Sequence, residues 1–455
     1  MTDQFPDDFN WGVATTAIQI EGGLDADGRG PSMWPDFARQ PGKITHGDTP
    51  VGSAASYAHL DHDLDAVARL NLRSYNFSAS WPRIQPDGSG RPNQQALDYY
   101  ARLIDGLLER NVTPDLSLYD WDLPRRFVSA GKKGWDDRDL ADRFVDYADI
   151  LLRHYGDRVT NWMTFNEVTT QATNGYLSGN HAPGYRDAQL AVRAYHHLML
   201  AHGKAARRIR EVVPQAEVSL VDNLLQYYPA TITAADRDAT DRSWTINAWY
   251  LLHALFKGEY YEPFLTYFRD HHDCNFDHLR PGDLDVIGTP LDKFGVNYFT
   301  SFVVSDAPDA PGADQKISAA PGPRSDYGWT IDPRGMTEAL RKLKRDFTGD
   351  LPLFIGECGI GNYDYPDPTG RVNDRARIDY LHQHLEQVLV ARGEGIPVKG
   401  FYVWSLMDNY EWDNGYKKRM GLFYTQYHQP AKYLIKDSGK WYAELCKTGR
   451  LREEL

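Results

Sequence analysis

The sequence predicts an α/β fold, namely a single (β/α)8 TIM-type barrel with extended loops after its strands, spanning residues 1–455. Eight short apolar runs, rich in β-branched and aromatic residues, follow one another along the chain, and segments with helical periodicity separate most of them. Such strand–helix alternation is typical of a closed parallel barrel, which often exceeds the usual domain size of about 150 residues. The competing open sheet would need a glycine-rich phosphate turn, which the sequence lacks.

The eight predicted strands occupy residues 9–14, 74–81, 113–121, 159–167, 217–224, 293–301, 351–357 and 398–408. Helical periodicity marks residues 61–72, 93–110, 139–155, 188–213, 337–346 and 374–391. Residues 307–324 are rich in proline, alanine and glycine, which predicts a long surface loop after the sixth strand. Because the carboxyl ends of barrel strands meet at one face, we expect the residues that follow the strands to build the functional site.

Composition narrows the classes of partner and the compartment. The net charge of −13 argues against nucleic acid or an anionic membrane surface as a partner. We expect no membrane span and no signal peptide, because no run reaches about 18 apolar residues and the first residues are polar and acidic. With only three cysteines, the sequence predicts a cytoplasmic protein, and it leaves the oligomeric state open.

Two glutamates carry the strongest functional signal. Glu167 ends the fourth predicted strand and Glu357 ends the seventh. Two carboxyl groups at the ends of different strands suit a retaining glycosidase, in which a proton donor with a raised pKa lies about 5–5.5 Å from an ionised nucleophile. The 12 tryptophans and 28 tyrosines suit a pocket that stacks sugar rings, although they equally suit core packing. We therefore expect a small-molecule glycoside as the partner.

Other residues that could carry chemistry favour structural roles. His59 and His62 have metal-ligand side chains, but their spacing lacks the third and fourth ligands of a zinc site. No Gly-x-Ser-x-Gly elbow indicates a serine hydrolase. The sequence therefore predicts neither a metal nor a cofactor.

Several segments resemble the motifs of glycoside hydrolase family 1. TFNE at residues 164–167 and WSLMDNYEW at residues 404–412 carry the resemblance most clearly. Further matches lie, in the family's order, at residues 9–15, 19–22, 77–84, 118–124, 175–184 and 297–298. The resemblance covers essentially the whole chain and implies a retaining β-glycosidase that hydrolyses terminal, non-reducing β-D-glycosides by double displacement, without metal or cofactor.

The resemblance also implies roles for individual residues. Glu167 would be the general acid/base and Glu357 the nucleophile, with Tyr298 donating a hydrogen bond to Glu357. Asn166 would contact the 2-hydroxyl of the sugar, where hydrogen bonds strengthen in the transition state. The other implied substrate-binding residues are Gln19 and Glu411 on the far side of the ring, Trp404 beneath it, Trp412, Asp120 and Trp121 beside it, and Trp329 at the aglycone entrance.

The chain departs from the family pattern inside the sugar subsite. Asn76 replaces an arginine that pairs with the nucleophile and lowers its pKa, so Asn76 is the residue expected to support Glu357 here. Asp120 replaces a histidine that contacts a sugar hydroxyl. Val168, Cys358 and Met420 also differ from the usual residues.

Three explanations of these departures remain open. Asp120 would suit a cationic amino sugar, so the glycone could differ from glucose. Alternatively, the enzyme hydrolyses ordinary sugars with altered kinetics. Thirdly, hydrolysis is weak, and the protein is a transglycosylase, a tailoring glycosidase of a specialised metabolite, or a sugar-binding homologue.

Overall fold

Eight parallel strands close into a barrel in the computed structural model, which describes residues 3–308, 310, 314–429 and 432–452. Each strand pairs with the strands before and after it in the sequence, and the eighth pairs with the first. The predicted (β/α)8 barrel is confirmed. The strands are β1 Asn10–Thr15, β2 Ser74–Ser78, β3 Thr113–Ser117, β4 Asn161–Asn166, β5 Glu217–Asn223, β6 Lys293–Asn297, β7 Leu353–Cys358 and β8 Val398–Trp404.

Four strands end three or four residues earlier than the apolar runs that predicted them. The runs at 74–81, 113–121, 293–301 and 398–408 continue past Ser78, Ser117, Asn297 and Trp404, where the strand pairing stops. Most residues beyond these strand ends are buried by packing between loops, and Trp121 and Phe299 are buried in the wall of the cavity at the top of the barrel, rather than by pairing within the barrel. Hydrophobicity marks burial of either kind, so it extended the predicted strands into the site.

Helices cover the outside of the barrel, and all six predicted helical segments contain one. Asn93 and Asp187 begin two of them by accepting hydrogen bonds from the backbone N–H groups of Gln95 and Leu190. The helices at the predicted positions are Leu60–Ala68, Gln94–Glu109, Leu140–Tyr155, Ala188–Val212, Pro333–Leu343 and Arg375–Gly393. The sequence did not predict Ala234–Trp244, Tyr250–Phe256, Glu262–His272 and Asp437–Thr448.

A small sheet stands beside the mouth of the barrel. Its strands are Gln226–Pro229, Ser301–Asp306 and Gln315–Ala319, with Ser301–Asp306 in the middle. The predicted surface loop at 307–324 is therefore partly wrong, because Gln315–Ala319 pairs antiparallel with Ser301–Asp306. The strand Gln315–Ala319 has only five residues, so its alternation of polar and apolar residues is too short to be recognised among the loop-forming residues around it. Residues 309 and 311–313 of that loop lie outside the described residues.

Met163, Val221, Phe354 and Tyr402 pack together inside the barrel. Three of them come from β4, β5 and β7, and Tyr402 comes from β8. This apolar layer keeps the polar residues of the strand ends together at one face. Over the part of the chain that the structure describes, no helix is long and apolar enough to cross a membrane. No group of three or more histidine, cysteine or acidic side chains in that part could hold a metal ion.

Candidate active site

A cavity of about 810 Å³ opens at the carboxyl ends of the strands. A volume of this size is typical of small-molecule sites, which occur at this face of TIM barrels. Ten of the twelve side chains that the sequence nominated line it: Gln19, Asp120, Trp121, Asn166, Glu167, Trp329, Glu357, Trp404, Glu411 and Trp412.

Glu167 follows the last residue of β4 and begins the short helix Val168–Ala172. Its backbone adopts the left-handed conformation, with φ 53° and ψ 63°, while its N–H donates to the carbonyl of Val221 at 2.9 Å. This conformation costs a residue other than glycine about 1–2 kcal/mol, and such strain concentrates at functional positions. Trp121 and Trp412, which also line the cavity, share it.

A chain of hydrogen bonds joins the two glutamates across the barrel. Asn297 donates through Nδ2 to Oε1 of Glu167 at 2.8 Å and to Oδ1 of Asn166 at 3.1 Å. Asn166 in turn donates through Nδ2 to Oε1 of Glu357 at 3.0 Å and to Oδ2 of Asp120 at 3.4 Å. Two neutral amides, one at the end of β4 and one at the end of β6, thus connect three carboxyl groups.

Four buried carboxyl groups meet in the cavity: Asp120, Glu167, Glu357 and Glu411. Among the described residues, no arginine or lysine forms an ion pair with any of them. Lys43 and Arg186 line the cavity, but Arg186 is exposed and Lys43 donates to the carbonyl of Gly179. The interior of the site is therefore rich in acidic groups without a compensating cation.

This environment raises the pKa values of the four groups. Burial raises the pKa of Glu357 well above its usual value, and the negative charges of Glu167, Asp120 and Glu411 raise it further. Burial also raises the pKa of Glu167, against the hydrogen bond from Asn297. The pKa of Asp120 is raised well above its usual value by burial and by Glu167, and burial raises that of Glu411 to about 8.

Two carboxylate oxygens in this group have free lone pairs. Oδ1 of Asp120 and Oε2 of Glu411 are buried and have no hydrogen-bond partner among the described residues. Both residues line the cavity, so a ligand bound there can donate hydrogen bonds to these two oxygens. Asp120 and Glu411 thus present two acceptors for a bound ligand.

Aromatic rings form the walls around these polar groups. Trp121 and Trp412 stack with centroids 4.6 Å apart and an interplanar angle of 30°. The indole N–H of Trp121 donates to the carbonyl of Asn166 at 3.1 Å. Trp329 lies 4.1 Å from Tyr327, centroid to centroid. Flat apolar faces beside hydrogen-bonding groups match the C–H faces and hydroxyls of a sugar.

Gln19 lies in the short helix Ala17–Ile20, which follows β1. Its Nε2 donates to the carbonyl of Tyr410 at 2.8 Å and to Oδ1 of Asn409 at 3.2 Å. Its Oε1 accepts a hydrogen bond from the hydroxyl of Thr16 at 2.8 Å. Gln19 therefore joins the segment after β1 to the segment that carries Glu411.

The predicted contact between Tyr298 and Glu357 is wrong. The Tyr298 hydroxyl donates to the carbonyl of Asp332 at 2.8 Å, outside the barrel. Side chains alternate along an extended strand, and Asn297 points inward, so the next residue points outward and Phe299 lines the cavity. A phenyl ring donates no hydrogen bond, so the residue at the cavity cannot support Glu357 in this way.

The expected support of Glu357 by Asn76 is also wrong. Asn76 does not line the cavity, and its Nδ2 lies 3.8 Å from the sulfur of Met163. The asparagine side chain is shorter than that of arginine and uncharged, and its amide contacts Met163 rather than Glu357.

Sequence reasoning missed the part that Asn297 plays in the site. Asn297 belongs to one of the motifs that carried the resemblance, but only its neighbour received a role. Counting every second residue along the predicted sixth strand would have placed Asn297 and Phe299, rather than Tyr298, on the inner face.

A closed (β/α)8 barrel with two linked glutamates at the ends of β4 and β7, beside tryptophans in a deep cavity, defines a glycoside hydrolase. The profile of glycosyl hydrolase family 1 matches residues 1–450, and the chain belongs to this family.

Known members are similar along their whole length. Beta-glucosidase A of Thermotoga maritima is 40% identical over 453 residues, which cover 99% of each chain. Beta-glucosidase A of Acetivibrio thermocellus is 36% identical over 97% of this chain and 98% of its own. A solved structure of the family 1 β-glucosidase from Thermotoga maritima superposes with a TM-score of 0.94 at 39% identity, over 99% of this chain and 100% of that chain.

Proposed function

We propose that Glu357 is the nucleophile and Glu167 the general acid/base of a retaining β-glycosidase, and that its preferred glycone carries a positive charge. The first part rests on family membership and on the position of both carboxyls at strand ends within one cavity. The second part rests on one observation: four buried carboxyl groups share the cavity without an ion pair to arginine or lysine among the described residues.

The first chemical step forms a covalent intermediate. An ionised oxygen of Glu357 attacks the anomeric carbon while the bond from that carbon to the leaving oxygen breaks. Glu167 gives its proton to the leaving oxygen, so the aglycone departs as a neutral alcohol. Burial raises the pKa of Glu167, which is the direction that a general acid requires.

The second step restores the enzyme. Glu167, now ionised, takes a proton from water, and the water oxygen attacks the anomeric carbon. The ester bond to Glu357 breaks, and Glu357 leaves as a carboxylate. Two inversions at one carbon return the sugar with the β configuration, and no step needs a metal or cofactor.

The charge of the site supports a cationic glycone. Glu357 has to be ionised to attack, yet burial and the surrounding carboxyls raise its pKa well above the usual value. His181 lines the cavity, but burial lowers its pKa to about 4, so it is neutral near pH 7. A substrate ammonium about 4 Å from a carboxylate contributes about 4 kcal/mol at an effective dielectric of about 20, enough to lower a pKa by about 3 units.

Asp120 and Glu411 are the groups we assign to that ammonium. Oδ1 of Asp120 and Oε2 of Glu411 are buried acceptors without partners among the described residues. An ammonium group offers three donors and no acceptor, so it satisfies such oxygens and neutralises charge at once. A neutral hydroxyl would satisfy them as well, but it would stabilise the ionised forms of these carboxyl groups, whose pKa values are raised by burial, less than a positive charge does.

A panel of aryl β-glycosides tests the choice of glycone. We expect β-glycosides of amino-deoxy-glucose, with the amine at carbon 2, 3, 4 or 6 in turn, to include one with a higher kcat/KM than the neutral glucoside. A neutral glucoside that exceeds every amino sugar in the panel would overturn the cationic glycone and leave the catalytic pair intact. The neutral glucoside is the matched control substrate, because similar proteins are named β-glucosidases.

Product analysis separates hydrolysis from transfer. Water as the acceptor releases the free β-sugar first, whereas a transglycosylase would form mostly a new glycoside when an alcohol is added. A sugar-binding homologue would bind glycosides without turning over any member of the panel.

A further inference from the structure

We propose that Asn297 is a positioning residue for both catalytic carboxyl groups. Its amide group fixes the orientation of Asn166, and the hydrogen bonds from the two amides stabilise the ionised forms of Glu167 and Glu357 in the absence of an ion pair. This inference rests on the proposed function, because it presupposes that Glu167 and Glu357 are the catalytic residues.

Asn297 uses both hydrogens of its amide group. One is donated to Oε1 of Glu167 at 2.8 Å and the other to Oδ1 of Asn166 at 3.1 Å. An amide nitrogen has only two hydrogens, so its donor capacity is fully used. Asn297 is fully buried, so water cannot replace either hydrogen bond without a change of structure.

The hydrogen bond to Oδ1 decides which end of Asn166 faces the nucleophile. With its oxygen held by Asn297, Asn166 presents Nδ2 to Oε1 of Glu357 at 3.0 Å and to Oδ2 of Asp120 at 3.4 Å. If the Asn166 amide turned over, its oxygen would face two carboxyl groups and its NH2 would face the NH2 of Asn297. The carboxyl groups at both ends of the chain thus allow one arrangement of the two amides.

Packing holds the Asn297 side chain in this position. A Cβ atom on Gly356 would come within 2.9 Å of Oδ1 of Asn297 and 2.8 Å of Val221, so only glycine fits there on the neighbouring strand β7. The oxygen of Asn297 has no hydrogen-bond partner among the described residues. The amide is therefore retained for its two donated hydrogen bonds, while its oxygen is accommodated against Gly356.

Among the residues that the structure describes, no arginine or lysine forms an ion pair with Glu167 or Glu357. The titratable groups that face the two glutamates are Asp120 after β3, Asp222 on β5 and Glu411 after β8, all acidic, and His181, which is largely neutral near pH 7. Thr170 and Asn223 add neutral donors beside Glu167. For Glu357, Asn166 is the one hydrogen-bond donor found among the described residues.

This arrangement predicts a shift of the whole pH profile. Removing the amide at position 297 takes a donor from Glu167 and releases Asn166, so both carboxylates lose stabilisation of their ionised forms. Both pKa values then rise. The acidic limb of kcat/KM reports ionisation of Glu357 and the basic limb reports loss of the proton from Glu167, so both limbs move to higher pH.

The test compares Asn297→Ala and the isosteric Asn297→Asp with Tyr298→Phe, on the aryl β-glycoside that the unmodified enzyme hydrolyses fastest. Tyr298→Phe is the matched control, because it removes one hydrogen bond from the adjacent residue outside the cavity. We expect both Asn297 variants to lose on the order of 10²-fold in kcat/KM, the size of effect that a misplaced catalytic group produces. In Asn297→Ala we expect both limbs to move up by about one pH unit.

Counting active sites separates this inference from the proposed function and from misfolding. A 2-deoxy-2-fluoro β-glycoside that labels Glu357 counts the folded, competent sites, and rates are expressed per labelled site. If the unmodified enzyme takes up no label, the proposed function fails. Tyr298→Phe should keep the pH limbs of the unmodified enzyme and a rate per labelled site within two-fold of it. If the unmodified enzyme is labelled and Asn297→Ala behaves in the same way as Tyr298→Phe, the role of Asn297 is refuted.

Discussion

Removing the charge of Asp120 should change the reaction in opposite directions for charged and neutral sugars. Asp120→Asn keeps the shape of the side chain, removes its negative charge and replaces one acceptor oxygen by an NH2 group. Oδ1 of Asp120 is buried and free among the described residues, while Oδ2 accepts from Asn166 at 3.4 Å. The variant therefore tests the charge of the group rather than its volume.

The magnitude for an amino sugar follows from the lost charge-assisted hydrogen bond. Such bonds contribute about 1.5–3 kcal/mol, so kcat/KM for the best amino sugar should fall by roughly 10- to 150-fold. The Coulomb energy of one buried pair at about 4 Å, about 4 kcal/mol, sets an upper bound near 10³-fold.

A neutral glucoside should respond in the other direction. The negative charge of Asp120 raises the pKa of Glu357, so its removal lowers that pKa. Glu357 is then ionised at lower pH, and the acidic limb of kcat/KM moves down while the rate at neutral pH increases.

The assay measures kcat/KM from pH 4 to pH 9 for both sugars, with Asp413→Asn as the control. Asp413 also lines the cavity but is exposed, so solvent screens its charge and its removal should change either rate by less than about three-fold. Equal losses on both sugars in Asp120→Asn would show that Asp120 supports the structure without sensing charge, and the reasoning would fail.

Three further outcomes are expected. Trp329→Ala should raise KM for aryl glycosides by about ten-fold, because it removes a stacking surface beside Tyr327. Hydrolysis of the covalent intermediate should be unchanged. An equal rise in KM for a glycosyl fluoride, which has no aryl group, would contradict this. Glu167→Ala should slow the enzyme most on substrates with poor leaving groups, and added azide should restore turnover as the β-glycosyl azide; an α-azide would refute the retaining assignment. Burial lowers the pKa of His202 to about 3, whereas its value in the unfolded chain is about 6.5. As the pH decreases below about 6.5, the unfolded chain therefore binds a proton that the folded protein does not, and the free energy of unfolding decreases. From pH 7 to pH 5 its contribution to the free energy of unfolding should fall by about 2 kcal/mol, and His202→Gln should remove that part of the slope in urea titrations.

The order of the strands and the location of the site could be predicted because both depend on local patterns. Apolar runs that alternate with helical periodicity indicate a barrel, and Glu167 and Glu357 end two of those runs. The accessory strand Gln315–Ala319 could not be predicted, because its pairing with Ser301–Asp306 depends on a neighbour rather than on its own composition.

The hydrogen bonds within the site were harder to predict than the identity of the residues that line the cavity. Tyr298 was assigned by its place in a motif, and the one-residue alternation of a strand turned its hydroxyl away and brought Phe299 to the cavity. The amide chain through Asn297 and Asn166 joins β6 to β4 across the barrel, and no pattern within either strand specifies it. Hydrogen bonds between residues far apart in sequence need the closed structure.

Trapping the covalent intermediate tests the central claim most directly. The protein is incubated with a 2-deoxy-2-fluoro β-glycosyl fluoride and digested, and the labelled peptide is identified by mass spectrometry. We predict one sugar per chain on Glu357, with no label and no turnover in Glu357→Gln. A label on another residue, or normal turnover in Glu357→Gln, would contradict the account.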